Sequence, residues 1–224
     1  MIRPRIVAHS RSALIAGTIH RIAICDIQCI AMTDKTTSER IAEATLLILE
    51  SEGAEAVSMR RVAQAVGITP MAIYHHFPNR EALLNSITDR EFANFLGYIE
   101  RRTVSGSHER RLISAMEAYI DYALDRPRIF DYVFSQSRPA ARRYPEDFRQ
   151  RRSPTLNPLA DQVAEAMASG WMKKDDIWEV ALELWAVTHG YVALYRAGRF
   201  NLEEKKFRAL VRRALGRVIH GLRA

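Results

Sequence analysis

The chain has 224 residues, 48% of them hydrophobic and 26% charged, with a formal net charge of +7. That balance excludes a disordered chain. Two cysteines four positions apart, Cys25 and Cys29, make neither a disulfide framework nor a zinc ligand set, and they suit a reducing cytoplasm. The positive charge points to an anionic partner, either nucleic acid or an acidic membrane surface.

Residues 1–33 form an N-terminal extension. Arg3, Arg5, Arg11 and Arg21 face a single acid, Asp26, within its first 31 positions. Such an arginine-rich start has the composition of a transit peptide. Met32 opens a conventional beginning, so the extension is read as sequence ahead of a misplaced start. Its uncharged runs are too short to span a bilayer.

From Thr36 onward the apolar spacing is helical, and no stretch alternates as a strand does, so the expected fold class is all-α. Thr36 and Glu39 stand as a T-x-x-E capping box. Ile41, Ala44, Thr45, Ile48 and Leu49 then make one stripe, and Gly53 suits an αL cap. A second helix is expected from Ser58, a third from Thr69-Pro70 and a fourth from Asn79. The fourth runs through Leu83, Leu84, Ile87, Phe95 and Ile99. Further helices are expected at 112–124, 129–134, 159–170, 175–197 and 202–222. A polar, proline-containing connection with six arginines fills 138–158. The expected division lies inside the fourth helix, giving a small bundle over 34–92 and a larger helical domain over 93–224.

Residues 58–77 carry the pattern of a helix-turn-helix, two short helices joined by a tight turn. Ser58 caps the first helix, Ala63 allows close approach, and Gly67 permits the positive φ that ends it. Thr69 caps the second, and Pro70 occupies its first position, where no amide donor is needed. Val62, Val66, Ile68, Ile73 and Phe77 face inward. Met71 and His75 project from the opposite face, flanked by Ala72 and Tyr74. Residues 56–80 contain no Asp or Glu, as expected of a phosphate-facing surface, and Arg60, Arg61 and Arg80 supply its charge.

On three segments the sequence resembles the tetracycline-repressor (TetR) family of regulators. They are Val62-Ala63-Gln64-Ala65-Val66-Gly67-Ile68, Tyr74-His75-His76-Phe77, and Asn79-Arg80-Glu81-Ala82-Leu83-Leu84. The resemblance implies that Tyr74, His75 and His76 meet DNA. Arg80 stands where a phosphate-contacting lysine is usual, keeping the charge with a different hydrogen-bond geometry. The candidate DNA-binding residues are Ser58, Met59, Arg60, Thr69, Pro70, Met71, Ala72, Tyr74, His75, His76 and Arg80. In the second half, Trp185, His189 and Gly190 are similar to the Trp-His-Gly motif of one TetR-type C-terminal class. Asp125-Arg126-Pro127 and the run from Ile129 to Phe134 also resemble that class.

The family likeness implies a sequence-specific, ligand-responsive repressor that binds a palindromic operator on double-stranded DNA as a homodimer. The last two helices of each subunit would form a four-helix dimer interface. An unknown small-molecule effector would bind in the regulatory and dimerisation domain, near Phe130, Phe134, Trp185 and His189, and shift the fourth helix. Plain core packing of Trp185 and His189 is the competing expectation. No cofactor, metal, catalytic residue or membrane partner is implied. The alternative function is a helical small-molecule-binding protein or enzyme with an incidental N-terminal hairpin, although no HExxH, GxSxG or P-loop signature is present.

Overall fold

In the computed structural model the described residues are 35–102 and 104–224. The N-terminal extension expected at 1–33 lies outside them. Among the described residues there is no strand, only an isolated bridge between Met172 and Arg223. No helix among them is long and apolar enough to cross a membrane.

The first helix, α1 (Thr37–Glu52), begins at the expected capping box. Thr36 Oγ1 accepts from the Glu39 amide at 3.2 Å, and Glu39 accepts from the Thr36 amide at 2.7 Å. Gly53 departs from expectation. It has positive φ, but with φ 90° and ψ 175° it is extended rather than αL. The chain must enter a 3₁₀ turn at Ala54–Ala56, and an αL residue would send it elsewhere.

Two short helices follow, α2 (Met59–Val66) and α3 (Pro70–Tyr74). Gly67 ends α2 in the αL conformation, φ 76° and ψ 32°, a position that any Cβ would strain. The long α4 (Arg80–Arg101) begins at Asn79, whose side chain accepts from the Ala82 amide at 2.8 Å. The rest of the chain folds as α5 (His108–Asp125), α6 (Pro127–Phe130), α7 (Glu146–Arg149), α8 (Asn157–Ala168), α9 (Ile177–Arg196) and α10 (Glu204–Leu222). A π turn, Asp131–Ser135, directly continues α6, so the expected 129–134 helix is one third α and two thirds π.

In the N-terminal bundle α1 packs on α2 and α4, and α2 on α3. Ile41, Leu49, Val62, Ile73 and Leu83 fill its centre. In the larger bundle α5 is central, touching α4, α8, α9 and α10. Tyr119, Tyr122, Phe130, Val163, Leu184 and Phe207 are buried around it. Helices α4 and α6 both touch α1, so two separate elements join the halves.

Candidate nucleic-acid interface and inner cavity

The helix-turn-helix is built by its caps. Ser58 Oγ accepts from the Arg61 amide at 3.2 Å, and Thr69 Oγ1 from the Ala72 amide at 3.1 Å. Between them the Ile68 amide reaches back to the Ala63 carbonyl at 3.0 Å, and Arg40 donates to the Val66 carbonyl at 2.6 Å. These bonds use the free carbonyls at the end of α2 and fix the turn. Ile73 is wholly buried beneath the turn.

With Ile73 directed inward, the opposite face of α3 is turned outward. Met71 is 70% exposed and Tyr74 48%, a large apolar exposure for adjacent turns of one short helix. Thr69, Pro70, His75 and His76 are exposed beside them, and Ala72 is half-buried. Ser58 and Arg60 are exposed at the start of α2. Met59 differs from its expected place. It is only 8% exposed and packs into the bundle core, because it shares the buried face of α2 with Val62, Ala63 and Val66.

The three arginines of the acid-free segment have different partners. Arg61 is paired with Glu52 at the end of α1, one contact being 2.9 Å. Glu52 lies four positions outside the acid-free window, which is why counting acids along the chain missed it. Arg80 donates from Nε to the Val57 carbonyl at 2.8 Å and from Nη2 to the Ala54 carbonyl at 2.7 Å. It thereby ties the start of α4 to the turn after α1. Carbonyls accept without cancelling charge, so exposed Arg80 stays a net cation. Arg60 makes no ion pair among the described residues.

Where α4 meets the larger bundle it carries a buried acid, Glu91, 2% exposed. Arg126 Nη1 donates to both of its oxygens, at 3.0 and 2.8 Å, and the Tyr122 hydroxyl donates at 2.9 Å. Burial, with Glu91 next in effect, pushes the Tyr122 phenol pKa upward, so the phenol keeps its proton. Arg126 Nε also lies 3.6 Å from Glu50 on α1. This cluster spans α1, α4 and the α5–α6 junction. A signal was available in the sequence, for Leu84, Ile87, Glu91 and Phe95 occupy successive positions of one stripe and only Glu91 is polar.

A cavity of about 130 Å³ lies alongside. Phe92, Phe95 and Ile99 of α4, Met116 and Tyr119 of α5, and Trp185 of α9 form its apolar wall. Phe134 projects into it from the π turn, and Gln136, Arg138, Arg142, Ser153 and Thr155 come from the connection before α8. Of the four expected pocket residues, Phe134 and Trp185 line the cavity. Phe130 and His189 stand behind Tyr119. His189 Nδ1 is 2.9 Å from the Tyr119 hydroxyl, and the Phe130 ring stacks on the imidazole at 5.8 Å. Burial holds His189 below the usual histidine pKa, with Asp131 opposing, and pushes the Tyr119 phenol up. The two are therefore a neutral hydrogen-bonded pair. Among the described residues no three His, Cys, Asp or Glu side chains are grouped to hold a metal.

Residues 41–87 match the family model of bacterial regulatory proteins, tetR family, and residues 112–218 match the tetracyclin repressor-like C-terminal domain. The HTH-type transcriptional repressor KstR of Mycobacterium tuberculosis is 27% identical over 163 residues, 66% of this chain and 70% of that protein. The HTH-type transcriptional repressor DrrR1 of Streptomyces coeruleorubidus is 41% identical over a shorter stretch of 54 residues, 24% of this chain and 20% of that one. Among solved structures, a protein of unknown function from Rhodococcus sp. RHA1 superposes with a TM-score of 0.72 at 21% identity, covering 85% of this chain and 97% of that one. FadR of Bacillus subtilis, solved with stearoyl-CoA, gives 0.65 at 16%, covering 82% and 98%. The two structures speak to the fold alone. Both ends of the chain match models of one family, and the capped turn presents an acid-free outer face: the chain belongs to the TetR family of DNA-binding transcriptional regulators.

Proposed function

We propose that the chain is an effector-responsive repressor that acts in the cytoplasm as a homodimer on a palindromic operator. Residues 34–92 grip the DNA, and residues 93–224 sense the effector and dimerise. The observation that carries the reading is the exposed pair Met71 and Tyr74, held on a doubly capped turn whose acid-free segment ends at the start of α4. Met71, Tyr74, His75 and His76 read the major groove. Thr69, Pro70 and Ala72, at the N-terminal end of α3, approach the DNA backbone, as do Ser58, Arg60 and Arg80. The named role of KstR as a repressor supports repression here, and the regulator relatives support regulation rather than catalysis.

The cavity is the effector site. It borders α4, the helix whose first residue is Arg80, so a ligand that favours another placement of α4 lowers DNA affinity. Footprinting tests the DNA half of this reading. Two recognition helices about 34–36 Å apart must protect an inverted repeat. A monomer in sedimentation with no protected DNA would sink it. Ala115→Phe tests the effector half, since Ala115 lines the cavity and is buried. Filling the cavity should leave operator occupancy intact and abolish derepression of a reporter in cells, and retained derepression would remove the cavity from the mechanism.

A further inference from the structure

The effector cavity has two unlike sides. The wall from α4, α5 and α9 is aromatic and aliphatic, without a charged group. The side supplied by the connection before α8 carries Arg138 and Arg142.

Arg138 is half-buried and incompletely bonded. Its Nη1 donates to Thr88 Oγ1 at 3.1 Å and its Nη2 to the Val133 carbonyl at 2.8 Å. Its Nε is fully buried and has no partner. A buried guanidinium donor without an acceptor is costly and asks for an explanation. Other partly buried arginines of the larger bundle are matched to acids: Arg102 to Asp121 and Glu117, Arg126 to Glu91, Arg196 to Asp131. Arg138 has no ion pair among the described residues. Arg142 bonds two carbonyls, and its nearest carboxylate, Asp89, is 3.8 Å away. Two cations with one loosely held acid give this side of the cavity a surplus of positive charge.

Size narrows the ligand. A cavity of about 150 Å³ lined by apolar side chains admits benzene, so a volume of about 130 Å³ takes a single ring or a chain of comparable bulk. We infer that the cavity binds a small organic carboxylate, with its apolar body among Phe92, Phe95 and Trp185 and its carboxylate on Arg138. The guanidinium of Arg138, with no ion pair of its own among the described residues, offers a single carboxylate a charge partner at the cavity wall. The same guanidinium holds Thr88 on α4, so the head group docks on a residue already bonded to the helix that begins at Arg80. This inference rests on the effector reading above.

Calorimetric titration of the full chain with phenylacetate and with 2-phenylethanol, at equal ionic strength, tests it. The two probes share a body and differ in charge. The acid should bind at least about tenfold more tightly, the scale of one hydrogen bond to a charged group. Arg138→Gln should bring the acid down to the affinity of the alcohol, while Arg138→Lys, which keeps the charge, should retain part of the preference. If Arg138→Gln fails to fold, the wild-type ratio and Arg138→Lys still decide the matter. Equal affinity for the two probes in the wild type, or a preference that survives Arg138→Gln, overturns the carboxylate and leaves the effector site standing. Binding of neither probe also overturns the inference, and the effector site is then judged by the Ala115→Phe reporter alone.

Discussion

Arginine serves opposite ends in the two bundles. In the larger one many arginines are matched to acid: Arg102 and Arg208 share Asp121, Arg102 and Arg212 share Glu117, and Arg111 meets Glu165. Around the helix-turn-helix Arg60 is unpaired among the described residues and Arg80 meets only carbonyls, Arg61 being the exception. Unmatched charge projects a field that draws in a polyanion. Matched charge is silent at a distance. Exposed pairs contribute only about 0–1 kcal/mol each, so most of those in the larger bundle orient helices more than they stabilise them. Glu91 with Arg126 is different because Glu91 is cut off from water.

The sharpest way to test this contrast is to delete the partner of the buried acid. Arg126→Ala should lower the stability measured by urea unfolding by about 3–5 kcal/mol, the cost of stranding a buried charge. Adding Glu91→Gln should recover part of the loss, and a loss no larger than that of an exposed pair would erase the distinction.

The next largest effect separates inside from outside within the recognition bundle. Met59→Ala should cost about 2–4 kcal/mol of stability through lost packing and leave the sequence preference of the folded protein unchanged. Met71→Ala and Tyr74→Ala should do the reverse, altering operator preference in binding-site selection while unfolding as the wild type does.

Arg80→Ala should weaken binding to all DNA and lower the salt slope by about 1. An unchanged slope would mean that its bonds to Val57 and Ala54 are its whole role.

The smallest effect concerns His189. Burial depresses its folded pKa, so the unfolded chain takes up the proton more readily. Its contribution to stability is full above the ordinary histidine value of about 6.5 and is lost as pH falls from there through the folded pKa. His189→Gln should flatten that limb of the stability profile relative to wild type, and identical limbs would show that the imidazole is not coupled to folding.

The caps at Thr36, Ser58, Thr69 and Asn79 and the stop at Gly67 were legible because each is a local bargain between one side chain and the next few amides. The outward face of α3 followed from helical period alone. Met59 was misplaced although it stands three, four and seven positions before Val62, Ala63 and Val66 and so shares their buried stripe on α2. Glu52 escaped notice because it reaches Arg61 from another helix. The cavity was half legible. Phe134 and Trp185 belong to elements with apolar periodicity, whereas Arg138, Arg142 and Ser153 come from a connection whose path no periodicity reports. The π turn that aims Phe134 gives no sign in composition either.

Glu91 sits midway along α4, and its bonds to Arg126 and Tyr122 anchor that point to the larger bundle, where it would act as the fulcrum of the proposed effector response. Eleven residues separate it from Arg80, a lever arm of about 16 Å at 1.5 Å per residue. A tilt of roughly 10° about the fulcrum moves the Arg80 end by about 3 Å, and in a twofold dimer the spacing of the recognition helices changes by up to about 6 Å against the required 34–36 Å. That exceeds the 3.4 Å rise of one base pair. In the proposed dimer a rotation of that size would put the two recognition helices out of step with the groove.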